Sequence, residues 1–91
     1  MQYFVRLHVA FCETVIEITN KEQELIKKKR ISSEDCWGPV SDVVSRYLKD
    51  LELPIDSIFI KKDLLGTYAA LNLAKLGWNV VLTGEKSCNI L

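Results

Sequence analysis

Residues 57–83 constrain this chain most, because they set two short apolar runs on either side of a helical stretch that carries its own end signals. Ile58-Phe59-Ile60 and Asn79-Val80-Val81-Leu82 have the unbroken apolar character of strands covered on both faces in a parallel sheet. Asp63 is placed to cap a helix over residues 64–76, and Gly77 to end it in the left-handed conformation. Two parallel strands joined by a helix make a right-handed crossover. At about 100° per residue, Leu65, Ala69, Leu73 and Leu76 share one helix face, and Gly66 and Ala70 allow a close approach to the sheet. The opposite arc holds Leu64, Tyr68 and Leu71 beside Thr67, Asn72 and Lys75, more apolar surface than a solvated face needs.

Upstream, Tyr3, Val5, Leu7, Val9 and Phe11 alternate with Gln2, Arg6, His8 and Ala10, which predicts a first strand with one apolar face. Ile16 and Ile18 fall on even positions, so the phase changes near Cys12-Glu13. A bulge is expected there, since residues 10–14 lack the Gly, Asn or Pro of a tight turn. Thr19 or Asn20 then caps a charged helix reaching Arg30, with Glu24 paired to Lys28 on its solvent face. Ser32 and Ser33 open a second helical region, interrupted or restarted at Gly38-Pro39. Val40, Val43, Val44, Tyr47, Leu48 and Leu51 continue it as a regular amphipathic stripe until Pro54. The predicted order is strand, helix, helix, strand, helix, strand. That order makes one small α/β domain over residues 1–91, with a three- or four-stranded sheet, a C-terminal parallel β-α-β crossover and two further helices.

Composition narrows the function. A chain of 91 residues supports a modest core, and 48% hydrophobic content excludes a disordered one. Basic and acidic residues balance at 12 each, which gives no overall electrostatic reason to expect nucleic acid or an anionic membrane as a partner. No apolar run nears the roughly 20 residues of a membrane span, and the first residues lack a signal peptide's pattern, so a cytoplasmic protein is expected. Cys12, Cys36 and Cys88 form an odd, widely spaced set without a CxxC pair, which suits reduced thiols better than a disulfide framework or a zinc site.

Several motifs have both a functional and a plainer reading. Gly66-Thr67-Tyr68-Ala69-Ala70 and Gly77 occupy places familiar from the first β-α-β unit of dinucleotide-binding proteins. The phosphate loop of such a unit needs several glycines, however, and here Lys61-Lys62-Asp63-Leu64-Leu65 precedes a lone Gly66. A helix packed closely on a sheet accounts for the pattern. Lys27-Lys28-Lys29-Arg30 reads as a solvated helix end favoured by the helix dipole. His8, the sole histidine, lies on the less apolar strand face. Cys36 stands beside Asp35, whose charge opposes thiolate formation, and Glu34/Asp35 suit a helix start better than acid-base catalysis. The final Cys88-Asn89-Ile90-Leu91 resembles a prenylation box, with Lys86 the only base nearby; a buried or free end is the plainer account.

No catalytic constellation, metal set or cofactor signature emerges. The expectation is a non-enzymatic, regulatory protein-protein interaction module, whether subunit, adaptor or small inhibitor. It would act through Leu64, Tyr68, Leu71 and Lys75, with another protein or a second copy of itself as partner and without nucleic acid or membrane. The alternative is a small-molecule or nucleotide-binding domain using the loops at the C-terminal strand ends, around Lys61-Lys62-Asp63 and Thr83-Gly84-Glu85-Lys86.

Overall fold

A computed structural model describes residues 2–32 and 39–84. The elements run β1 (Tyr3–Val9), β2 (Glu13–Thr19), β3 (Leu25–Ser32), α1 (Val40–Leu51), β4 (Ile55–Lys61), α2 (Leu64–Lys75) and β5 (Val80–Thr83). One five-stranded mixed sheet has the order β3-β2-β1-β4-β5. β2 is antiparallel to β1 and β3, whereas β1, β4 and β5 are parallel neighbours. The two helices share one hydrophobic core with the sheet: Val44 and Leu48 of α1 and Ala70 and Leu73 of α2 join Val5, Leu7, Ile16, Ile18, Ile58 and Ile60.

The expected bulge at Cys12-Glu13 is instead a chain reversal. The Ala10 amide donates to the Glu13 carbonyl at 3.0 Å, closing a hairpin around Phe11-Cys12. Its register sets Val5 beside Ile18 and Leu7 beside Ile16, so odd residues of β1 and even residues of β2 share a face. That pairing explains the change of phase without a bulge. Neither tip residue takes a positive φ, which is why the usual turn residues are missing.

The expected charged helix over residues 20–30 is replaced by a loop and β3. Asn20 organises the loop rather than capping a helix: its Oδ1 accepts from the Glu22 and Glu24 amides, both at 2.9 Å. Gln23 supplies the left-handed residue, at φ 66°. Glu24 takes a hydrogen bond from Asn20 Nδ2 instead of pairing with Lys28. Docking on β2 pairs one side of the β3 backbone and buries Ile31, a gain that a solvated helix does not offer. Ser32 ends this strand instead of opening a helix. The sheet therefore has five strands rather than three or four, and the described residues contain two helices rather than three.

Further along, α1 begins at Val40 with Pro39 at its cap position. α2 is capped by Asp63, whose Oδ1 accepts from the Gly66 amide at 2.7 Å, and Gly77 follows it at φ 100°. The helix ends at Lys75, so Leu76 lies past the core face expected of it and is exposed. The reading of Ile58-Phe59-Ile60 and Val80-Val81-Leu82 as covered on both faces holds only in part. Ile58 and Ile60 are buried and Phe59 and Val80 half-buried, while Val81 and Leu82 are 38% and 39% exposed. Both helices pack on one face of the sheet, and β5 is its edge. Trp78 Nε1 donates to Ser45 Oγ at 2.8 Å, fastening the chain after α2 to α1.

Candidate functional site

Three surfaces gather functional side chains. The first is the outer arc of α2. Gly66, Ala69, Ala70 and Leu73 face the core, which turns Leu64, Tyr68, Leu71 and Lys75 outward along the opposite side. Leu64 is 85% exposed, Tyr68 71% and Leu71 59%. Neither β1 nor residues 20–30 cover them, because β1 is the central strand and β3 the far edge. Tyr68 and Lys75 also line a shallow groove with Pro39, Asp42, Asn72 and Leu76, where α2 passes the start of α1. The helix periodicity points to the arc, but the groove depends on how α1 packs and leaves no local signal.

The second lies at the C-terminal ends of β4 and β5. The Lys62 amide donates to the Thr83 carbonyl at 3.0 Å, so the two loops adjoin. Asp63 turns its carboxylate onto the first turn of α2, and a Cβ at Gly66 would overlap the Lys61 carbonyl oxygen. The helix N-terminus thus already holds an anionic group of the chain itself. Glu85 and Lys86 lie outside the described residues, as do residues 33–38 with Glu34, Asp35 and Cys36, and the final Cys88-Asn89-Ile90-Leu91.

The third is the sheet face turned away from both helices. Strand alternation places Phe4, Arg6 and His8 of β1 there, with Val15 and Glu17 of β2, Lys28 and Arg30 of β3, and Phe59 and Lys61 of β4. Glu17 Oε1 lies 3.3 Å from His8 Nε2 and 4.0 Å from Arg6 Nη1, and its Oε2 lies 3.9 Å from Lys28 Nζ. The Phe4 and Phe59 ring centroids are 6.2 Å apart. Arg6, His8, Phe59, Lys61 and Thr83 line a groove across this face. The alternation of Phe4, Arg6 and His8 is legible in the chain. The addition of Phe59 and Lys61 is not, because it requires β4 to be open on one side.

Elsewhere, Cys12 is an exposed free thiol at the hairpin tip. Among the described residues no group of three or more His, Cys, Asp and Glu is placed to hold a metal ion, and no helix is long and apolar enough to cross a membrane. Burial raises the Tyr47 phenol above its ordinary range; Tyr47 packs at the margin of the core on α1 and belongs to none of the three surfaces. The chain matches no protein-family model and no curated protein.

Proposed function

We propose that this protein is a non-enzymatic interaction module that binds another protein chain through the outer arc of α2, in the simplest case a second copy of itself. The observation that carries this reading is the exposure of Leu64, Tyr68 and Leu71 on one side of a helix whose other side is fully engaged. Burying each such side chain in an interface is worth about 1.5–3 kcal/mol, and a contiguous apolar patch on a small domain marks an interaction surface. A two-fold contact needs only one surface. The adjoining groove suits such a contact, since Asp42 and Lys75 both line it and can meet their opposites across a two-fold axis.

The ligand-binding alternative has less support, because the Asp63 carboxylate occupies the α2 N-terminus that an anionic ligand would use. Light scattering on the wild type and on Leu71→Glu tests the proposal. The wild type is expected as a dimer and Leu71→Glu as a folded monomer, with circular dichroism confirming the fold. Asp42→Lys and Lys75→Asp should each weaken the dimer, and the double variant should recover it. A wild-type monomer at high concentration rejects self-association, and a Leu71→Glu variant that remains dimeric rejects the arc.

A further inference from the structure

We propose that the sheet face opposite the helices binds single-stranded nucleic acid, with Arg6, Lys28, Arg30 and Lys61 contacting phosphates and Phe59, supported by Phe4, offering a ring for bases to stack on. This reverses the expectation from the balanced net charge, because charge counted along the chain conceals where the strands put it. Alternation on β3 sends Lys28 and Arg30 to this face, where Arg6 and His8 of β1 and Lys61 of β4 also lie. The acidic side chains that alternation adds are Glu13 and Glu17, and Glu17 is already shared among Arg6, His8 and Lys28. Arg30 and Lys61 have no ion-pair partner among the described residues.

Protection of an open edge explains cations on β3. It does not explain Arg6 and Lys61, which stand on the interior strands β1 and β4. Nor is the face prepared for another protein layer, since covering it would bury Arg6, Glu17 and Lys61 at a desolvation cost that Phe4, Val15 and Phe59 cannot offset. An open sheet face on which Phe59 stands level with Arg6, with Phe4 on one side of it and Lys61 on the other, suits a flexible polyanion whose bases can be splayed onto it. The groove beside Phe59 brings Arg6, His8 and Lys61 to one ring.

Fluorescence anisotropy with labelled oligo-dT and oligo-U of about 16 nucleotides tests this directly. Binding is expected at low salt, with log K falling against log salt at a slope of about −3 for the Arg6, Lys28, Arg30 and Lys61 contacts. Arg30→Glu with Lys61→Glu should abolish it, and Phe59→Leu should weaken it by about tenfold through lost stacking. Glu17→Gln should tighten binding about three- to tenfold, because it frees Arg6, His8 and Lys28. A purely structural role for Glu17 would not produce that gain. The proposal is overturned if neither oligonucleotide binds at low salt, or if Glu17→Gln leaves affinity unchanged or lower. It is equally overturned if a duplex of the same length or a polyglutamate peptide binds as well as the single strands, which would assign the face to any polyanion.

Discussion

Gly66 is the residue at which the local sequence and the tertiary packing agree most closely. It sits in the first turn of α2, where the helix leaves β4, and an added Cβ would overlap the Lys61 carbonyl and lie 3.0 Å from Ile60 Cγ2. Because the obstructing atom belongs to the backbone, Gly66→Ala should destabilise the protein by about 1–3 kcal/mol, despite the helix preference for alanine. A fall in the urea midpoint at unchanged slope checks this, and a neutral or stabilising result would mean that α2 sits further from β4 than described. Gly66, the Asp63 cap and Gly77 were legible in the chain because each acts within a few residues of itself. Asn20 was misleading for the same chemical reason that made it useful: its side chain accepts backbone amides in turns as readily as at helix caps. The Trp78–Ser45 hydrogen bond joins residues 33 positions apart and has no local signature.

At the scale of elements, residues that pack locally announced themselves and residues that depend on a neighbour did not. The stripe from Val40 to Leu51 and the helix after Asp63 carry their own periodicity. β3 does not, since Lys27-Lys28-Lys29-Arg30 alternates in direction but not in polarity, and only pairing with β2 makes it a strand. β4 appeared doubly buried because Ile58-Phe59-Ile60 is apolar throughout, yet only Ile58 and Ile60 meet the helices. Two truncations separate its faces. Ile60→Ala should cost about 2–5 kcal/mol, as for other buried aliphatic truncations, whereas Phe59→Ala should cost about 1 kcal/mol beyond the lost contact with Phe4. Equal losses in chemical denaturation would mean that the second face is covered after all. The exposed arc of α2 was legible from periodicity alone, whereas the basic face with Phe59 and Lys61 depended on knowing which side of β4 is open.

Across the whole molecule, β1 is the strand on which the sheet depends, and its two neighbours come from very different distances along the chain. It pairs with β2 through the Phe11-Cys12 hairpin, but with β4 only by joining Val5 to Ile58. The strand order could not be read from the chain because nothing local encodes a contact of that range. On the ribosome, the three-strand meander leaves the tunnel with the second edge of β1 unfilled. At roughly 5–20 residues per second, that edge waits about 1–6 s for β4 to follow. Meanwhile Val5 and Leu7 lie beside a row of unpaired backbone groups, a template that β4 of a neighbouring nascent chain fits as well as the chain's own. Slow codons placed to stall the chain once β3, but not yet β4, has left the tunnel should therefore raise the fraction of protein recovered as aggregate or strand-exchanged oligomer, measured by sedimentation of translation products. A stall of the same length once β4 has also left the tunnel should have no effect, because by then the vulnerable edge has been closed.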